Sequence, residues 1–304
     1  MIDINRLPNF QKILLMLKLQ TPVADSSCRA GISYNDKIMM LGSCFADNIG
    51  QYLVNYGFDV CVNPFGTLYN PESISRSIDR MISGIPFTEE ECIQMGSGSE
   101  LFCSFSHHTS FARKTMAEFL SNANNALANA SEFYHNCNKV IITLGTAWCF
   151  RNIASGQIVS NCLKRNAKEF IREKLSADNT ASLLQKIISS EAGADKQFIF
   201  TVSPIRHLAD GAHGNQISKS TLLLAVDNIV GSNPETDYFP SYEIMMDELR
   251  DYRFYAEDMI HPSSQAVRYI ADRFFDWALP STEQKTLEDN IRHHRQSHHR
   301  QMSV

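Results

Sequence analysis

Short apolar and β-branched runs alternate along this chain with longer segments in which apolar residues recur at helical spacing. The apolar runs predict strands at residues 37–41, 58–62, 139–144 and 196–202. The longer segments predict helices at residues 46–56, 72–83, 114–137, 167–192 and 263–279. Residues 238–245 fit either a last strand or the start of a helix. Strands separated by helices of this length are typical of βαβ units, so the pattern predicts an α/β domain whose mostly parallel sheet carries helices on both faces.

The 304 residues are enough for one large domain with a single core. We expect this domain to span residues 26–280, with residues 1–25 forming an N-terminal extension and residues 281–304 a charged tail. The tail contains the pairs His293-His294 and His298-His299. Such a cluster could bind a metal adventitiously, but the composition favours a solvated, frayed tail.

Composition and charge narrow the class of partner. Hydrophobic residues make up 43% of the chain and charged residues 20%, as in an ordinary soluble globular protein. The formal net charge is −5, whereas a nucleic-acid-binding domain usually carries a basic excess. We therefore expect the partner to be a neutral small molecule or glycan and not a nucleic acid.

The apolar runs and the cysteines bear on where the protein resides. No stretch approaches the roughly 20 apolar residues that a membrane-spanning helix needs. Near the N-terminus Lys18 interrupts the apolar run, and Asp3 does not fit the basic start of a secretory signal. The eight cysteines include no CxxC pair, which argues against a zinc knuckle and fits a reducing compartment. These observations predict a cytoplasmic protein.

Ser43 follows the first predicted strand and precedes the first predicted helix. At such a junction the turn exposes the hydroxyl at the carboxyl edge of the sheet, and the helix N-terminus directs N–H groups at a developing oxyanion. The same position also suits a plain helix N-cap, a role that serine fills well. Taken alone, the Gly42-Ser43 pair favours the N-cap.

Asp258 and His261 lie three residues apart, just before the last predicted helix. A turn at this spacing can bring both side chains to one side, where Asp258 would orient the imidazole and His261 would take the serine proton. A strand–serine–helix junction early in the chain, combined with a late Asp-x-x-His-Pro, is far less expected by chance than either alone. Together they predict Ser43 as nucleophile, His261 as general base and Asp258 as its orienting partner.

The run Gly42-Ser43-Cys44-Phe45-Ala46 resembles the motif for which the GSCFA domain family is named. Further segments that resemble signature stretches of that family are residues 63–67 (NPFGT), 144–146 (LGT), 203–207 (SPIRH), 238–243 (YFPSYE) and 251–255 (DYRFY). The resemblance covers residues 30–280. Since the family is grouped with SGNH/GDSL hydrolases, it implies a flavodoxin-like, three-layer α/β/α fold and the chemistry of a serine esterase or acyltransferase.

SGNH enzymes carry four marker residues: the nucleophilic serine, a glycine and an asparagine for the oxyanion hole, and the histidine. Ser43 and His261 match the first and the last. Gly66 could supply the glycine N–H, because no Cβ would keep an oxyanion away. A plain turn glycine is an equally good interpretation of Gly66.

The asparagine motif of SGNH enzymes is where this sequence departs. In place of Gly-x-Asn-Asp the sequence has Gly145-Thr146-Ala147-Trp148. Three donors could substitute for the carboxamide: the Thr146 hydroxyl, the Trp148 indole N–H, or Asn63 from the neighbouring loop. Loss of one oxyanion donor typically lowers the rate about 10²–10³-fold, so the departure favours an altered substrate or a weaker hydrolase.

Three further residues are candidates for lining a pocket. His108 lies in a His-Ser stretch that resembles the family, although a hydrogen-bonded structural histidine explains it equally well. Arg206 and His207 leave a predicted strand at the sheet edge where ligands of open α/β folds bind, so they could contact a carboxylate or a sugar hydroxyl. The alternative for Arg206 is to hold a loop through backbone carbonyls.

The sequence thus predicts ester hydrolysis through an acyl-enzyme on Ser43, with a small acyl group removed from a carbohydrate or related alcohol. An O-acyltransferase with the same triad, or a non-catalytic protein that binds a glycan or acyl ligand, remain as alternatives. No glycine-rich phosphate loop and no HExxH motif is present, so we expect neither a cofactor nor a metal. The oligomeric state is not predicted.

Overall fold

The computed structural model describes residues 21–24, 28–96 and 98–301, the last four by their backbone only. Most of the predicted N-terminal extension, residues 1–20 and 25, lies outside the described residues. The strands are, in chain order, β1 (Lys37–Gly42), β2 (Asp59–Val62), β3 (Ile93–Gln94), β4 (Phe102–Cys103), β5 (Lys139–Leu144), β6 (Trp148–Asn152), β7 (Ile158–Val159), β8 (Phe170–Lys174), β9 (Gln197–Val202) and β10 (Thr236–Tyr238). The longer α-helices are α1 (Cys44–Asn55), α2 (Pro71–Ser83), α3 (Met116–Asn136), α4 (Ala177–Ile188), α5 (Gly211–Ser232), α6 (Ser264–Ala278) and α7 (Gln284–Gln301).

Five parallel strands form the central sheet, in the order β2-β1-β5-β9-β10. Counted within this sheet the order is 2-1-3-4-5, the flavodoxin-like arrangement. All four predicted strands are confirmed. The ambiguous stretch 238–245 divides between both interpretations, because β10 ends at Tyr238 and a helical segment follows from Ser241 to Leu249.

The sheet is buried on both faces, as alternation along its strands shows. On β1, Met39 and Leu41 pack into the apolar core formed with α2, α3, α4 and α5. Ile38 and Met40 point the other way, into the core formed with α1, α6 and α7. Successive side chains of a strand point to opposite faces, so an uninterrupted apolar run is what a doubly covered strand requires. The predicted three-layer α/β/α architecture is confirmed.

Two small antiparallel sheets are added to this core. One pairs β3 with β4, and the other has the order β7-β6-β8. β6 begins at Trp148, four residues after the carboxyl end of the central strand β5. The second small sheet therefore stands at the edge of the central sheet where a ligand is expected.

The predicted helix over residues 167–192 is wrong in its first part. Residues 170–174 form strand β8, which pairs with β6, and the α-helix is confined to Ala177–Ile188. Ser176 follows the strand and caps the helix by accepting the N–H of Asn179. The pairing partner lies some twenty residues away, so local periodicity could not indicate it.

The expectation of a frayed tail is also wrong for the described part of residues 281–304. Helix α7 packs against the domain, with Leu287 buried in the core that contains α1 and α6. Asn290 donates to the carbonyl of Tyr56 at 2.8 Å, and the His294 ring meets the Tyr56 ring edge-on. His298 and His299 lie where only the backbone is described.

Among the residues that the structure describes, no helix is both long and apolar enough to span a bilayer. All eight cysteines are free thiols.

Candidate active site

Ser43 occupies the turn between β1 and α1, and the turn depends on Gly42. Gly42 has φ of 136°, and a Cβ at this position would lie 2.1 Å from the carbonyl oxygen of Thr143. Only glycine avoids both problems. Ser43 then donates its N–H to the Thr143 carbonyl at 3.1 Å, and its Oγ accepts the N–H of Phe45 at 3.3 Å. Ser43 is therefore a fully buried N-cap at the carboxyl end of β1.

The loop that follows β5 is held close to Ser43. The carbonyl of Tyr69 accepts the N–H groups of Gly145 and Thr146, each at 2.9 Å. A Cβ at residue 145 would lie 3.3 Å from Ser43 Cβ and 2.9 Å from the Tyr69 oxygen, so close packing at this point favours glycine. Three segments that are distant in sequence thus meet around the serine.

Asp258 and His261 form a tightly held pair at the same sheet edge. Asp258 Oδ2 lies 2.6 Å from His261 Nδ1, while Oδ1 accepts the N–H groups of Ile260 and His261 at 2.8 and 2.9 Å. Met259, between them, has φ of 57°, which closes the turn. The hydrogen bonds from His261 and Ile260 lower the pKa of Asp258 to about 2. An ionised Asp258 keeps the proton on Nδ1 and leaves Nε2 free as a base.

A cleft of about 500 Å³, here called the edge cleft, is lined by neighbours of both Ser43 and Asp258, although these two residues are not themselves among its described lining residues. Cys44, the residue after Ser43, lines the edge cleft, and so do Ile260 and His261. Within the described residues Ser43 Oγ makes no hydrogen bond to His261; its partner is Phe45 N. Catalytic hydrogen bonds of free enzymes are often long and shorten only when substrate is bound, so this geometry is compatible with a serine–histidine pair.

The far wall of the edge cleft comes from the small sheet and the start of α5. The Nε of Arg172 on β8 donates to Asp210 Oδ1 at 2.7 Å, and its guanidinium lies over the rings of Trp148 and Phe150. All four residues line the cleft. In the described part of the chain, no group of three or more acidic, histidine or cysteine side chains is placed to hold a metal ion.

The two predicted donors of the loop after β5 are engaged elsewhere, although both line the edge cleft. The Thr146 hydroxyl pairs with Ser218 Oγ at 3.0 Å and accepts the N–H of Trp148. The Trp148 indole donates to the carbonyl of Gly214 at 3.2 Å. These bonds fix β6 against α5.

Asn63, Gly66 and His108 are brought together, but away from the described lining of the edge cleft. Asn63 Oδ1 accepts the N–H of Gly42, and its Nδ2 donates to Asp47. Gly66 donates its N–H to the Asn63 carbonyl at 2.7 Å, and a Cβ on it would come 2.3 Å from His108 Cβ. Asn63 therefore supports the Gly42-Ser43 turn by accepting the N–H of Gly42, and Gly66 holds Asn63 in place through its carbonyl.

Asn70 is a cleft residue that the sequence analysis missed. It is buried, lines the edge cleft and caps α2 by accepting the N–H of Ser73 on Oδ1 at 2.9 Å. Among the described residues, nothing accepts a hydrogen bond from its Nδ2. Asn70 therefore presents a carboxamide with one fixed end and one unused donor at the edge cleft. The Asn-Pro pair at a predicted helix start was the available signal.

Arg206 and His207 both line the edge cleft, as expected. Arg206 donates to the carbonyl of Met259 at 3.1 Å and lies over the Tyr255 ring, so it holds the loop that carries His261. Burial lowers the pKa of His207 to about 3, and no described residue forms a hydrogen bond with its buried Nε2. His207 is therefore neutral and contributes no charge to the cleft.

Comparison with known proteins bears on the family. The model of the GSCFA family matches residues 37–274, most of the chain. This chain belongs to the GSCFA family. Among solved structures it is similar to a family 3 carbohydrate esterase of Clostridium thermocellum, with 13% identity and a TM-score of 0.36, over 84% of this chain and 98% of that chain. No curated protein matches the sequence.

A buried lysine lies beneath the site of this GSCFA protein. Lys219, on α5, donates to the carbonyls of Gly145 and Ser203 at 2.6 and 2.7 Å, so it joins the carboxyl ends of β5 and β9. Burial lowers the pKa of Lys219 to about 7, and Cys44 nearby opposes that shift weakly. A neutral amine keeps two N–H donors, so both carbonyls stay satisfied after the proton is lost.

Lys219 is expected to make the stability of the protein depend on pH. Between about pH 7 and pH 10.4 the unfolded chain holds a proton on this lysine that the folded chain has released. The free energy of unfolding should therefore rise with pH in this window, by at most about 1.4 kcal/mol per pH unit, and this gain is lost as the pH falls to 7. Urea unfolding of wild type and Lys219→Met at pH 7.5 and 9.0 measures this pH dependence of the free energy of unfolding.

The exposed Lys285 on α7 provides the control. Lys285→Met should keep the pH dependence of wild type, whereas Lys219→Met should flatten it. Equal slopes for wild type and Lys219→Met would show that the lysine keeps its proton when buried.

Proposed function

We propose that this protein is a serine esterase that forms an acyl-enzyme on Ser43 and removes a small acyl group from a carbohydrate or related alcohol. The observation that supports the proposal is the His261 base, oriented by an ionised Asp258, in the same cleft as the residue that follows Ser43. A protein that only binds a ligand has no need of a base held in this way. The acyl and alcohol classes follow from the family's resemblance to SGNH hydrolases.

The reaction has two halves that share one base. Ser43 Oγ attacks the ester carbonyl carbon while its proton passes to His261 Nε2, and the alcohol leaves with that proton as the C–O bond breaks. Water then attacks the acyl-enzyme and gives its proton to Nε2. When the bond to Ser43 breaks, Oγ recovers the proton and the carboxylic acid is released. Asp258 holds Nδ1–H throughout.

The oxyanion of each tetrahedral intermediate needs donors at the carboxyl edge of β1. Asn70 Nδ2 is one, because its Oδ1 is already fixed by the α2 cap. The N–H of Cys44 is another, since the first N–H groups of a helix have no partner within the helix. The N-terminus of α1 adds a favourable dipole for a developing negative charge.

An O-acyltransferase would use the same acyl-enzyme, with a sugar hydroxyl in place of water. Supplying a donor ester together with an acceptor sugar separates the two reactions: a transferase forms the new ester, and an esterase releases only free acid.

Labelling with a fluorophosphonate probe tests the proposal. Wild type should be labelled, whereas Ser43→Ala and His261→Ala should not, because the probe reacts only with an activated serine. Ser176, which is the N-cap of α4 as Ser43 is the N-cap of α1, supplies a matched control. Ser176→Ala should label like wild type. If wild type neither reacts with the probe nor hydrolyses p-nitrophenyl acetate, the proposal is contradicted and a non-catalytic binding protein becomes the better interpretation.

A further inference from the structure

A second cavity lies beside the edge cleft. Its volume is about 490 Å³, and α2, the β7 strand and the segment around β3 form its walls; it is here called the α2 cavity. None of Ser43, Asp258 and His261 lines it. Val159 and Ser160 line both the α2 cavity and the edge cleft, so the two spaces are separated by one strand end. Its volume falls within the usual range for small-molecule sites.

Two hydroxyls on the α2 wall have no partner among the residues that the structure describes. Ser73 and Ser77 lie one helical turn apart, and the Oγ atom of each is buried without a hydrogen bond to that part of the chain. Buried polar groups are nearly always paired, so two unpaired hydroxyls in one wall indicate a partner that binds there. Each hydroxyl can both donate and accept a hydrogen bond. Such a pair matches a ligand that itself carries hydroxyl groups.

The charges around the α2 cavity are balanced. Arg80 is paired with Glu91, and Arg165 Nε lies 2.6 Å from Glu169. Arg76 donates to the carbonyl of Ile158 at 2.8 Å and to the side chain of Gln157. With Glu90 included, the cavity is lined by three arginines and three glutamates. An anionic ligand would find no excess of positive charge, so the wall favours a neutral one.

Aromatic rings supply the apolar part of the wall. Phe65, Phe87 and Phe105 line the cavity, and the Arg80 guanidinium lies over the Phe87 ring at 4.4 Å. A pyranose has a C–H face that packs on such rings and a rim of hydroxyls that needs partners such as serine, glutamine and arginine. The wall therefore combines the two surfaces that a neutral sugar requires.

We propose that the α2 cavity binds the carbohydrate portion of the ester substrate, a neutral polyhydroxylated chain that passes β7 to present its acyl group in the edge cleft. That the bound sugar is part of a substrate rests on the proposed esterase function. Binding of the sugar itself does not rest on that function, and it can be measured in a protein that lacks the nucleophile.

Calorimetric titration of Ser43→Ala protein with xylotetraose, mannotetraose and cellotetraose is the experiment. At least one tetrasaccharide should bind, and Ser77→Ala added to Ser43→Ala should weaken that binding about tenfold, which corresponds to one lost hydrogen bond. Ser83, exposed near the end of the same helix, serves as control, and Ser83→Ala should bind like its parent. The melting temperature of Ser77→Ala should be equal to or above that of its parent, because an unpaired hydroxyl is removed.

The outcomes separate this inference from the proposed function. If sugar binding depends on Ser77 but fluorophosphonate does not label the wild-type protein, the sugar site is supported and the proposed esterase function is contradicted. Labelling of wild type together with no tetrasaccharide binding, or with binding that Ser77→Ala leaves unchanged, would overturn the inference alone. Tighter binding of trigalacturonate than of every neutral tetrasaccharide would also overturn it, because the wall was inferred to favour a neutral ligand.

Discussion

Asp258→Asn is expected to lower kcat for p-nitrophenyl acetate by about 10³–10⁴, with little change in stability. The asparagine oxygen can still accept the N–H groups of Ile260 and His261, so the turn is retained. Its NH2 group, however, would face His261 Nδ1 as a donor. The imidazole would then carry its proton on Nε2, the atom that has to accept the proton of Ser43.

Asp251→Asn is the matched control. Asp251 is another exposed aspartate that caps a short helical turn, by accepting the N–H of Arg253 at 2.9 Å, and it does not line the edge cleft. Its replacement should leave kcat within a factor of two of wild type. If Asp258→Asn retained more than a tenth of the wild-type kcat, with Ser43 still labelled, Asp258 would have no orienting role and His261 would be held by its backbone alone.

Local signals in the sequence were sufficient for the parts of the site that a single turn builds. Gly42-Ser43 stands between a strand and a helix, and the Asp258–His261 spacing closes within one loop. The Asp258–His261 bond spans only three residues, so its geometry depends little on the rest of the fold, whereas the place of Ser43 also depends on the Thr143 carbonyl of β5. The uninterrupted apolar runs of β1, β5 and β9 likewise marked strands that are covered on both faces.

The carboxamide that we propose as an oxyanion donor, Asn70, could not be predicted in the same way. Asn63 and Asn70 lie in the same loop after β2, and the sequence does not say which of them reaches the sheet edge. In the structure Asn63 has φ of 41° and turns back to Gly42 and Asp47, whereas Asn70 is held at the cleft by its cap on α2. The choice depends on where α2 packs, which is set by contacts distant in sequence.

Lys219 was missed because the sequence analysis assigned no element to α5. A signal was present: residues 219, 222, 226 and 229 follow helical spacing, and all four are buried. Lysine on the apolar face of such a helix is rarely fully buried without a partner, so its partners must come from elsewhere in the fold. They are the ends of β5 and β9, which the helix reaches only once the sheet has formed.

Replacement of Asn70 by aspartate is expected to lower kcat by about 10²–10³ while the helix cap is retained. The new carboxylate still accepts the N–H of Ser73, and a negative charge at the start of α2 interacts favourably with the helix dipole. What is lost is the donor that Nδ2 would offer to the oxyanion, and an anion takes its place. Stability should therefore stay within about 1 kcal/mol of wild type while the rate falls.

Asn166 allows the effect on the cap to be separated from the effect on the oxyanion. It caps the turn Ala167–Glu169 by accepting the N–H of Lys168 at 3.0 Å and does not line the edge cleft, so Asn166→Asp should change neither kcat nor stability. Stopped-flow acylation with p-nitrophenyl acetate and urea unfolding give both quantities for each variant. If Asn70→Asp acylated at the wild-type rate, Asn70 would be a helix cap only. The oxyanion would then have to bind to backbone N–H groups at the start of α1, without a carboxamide.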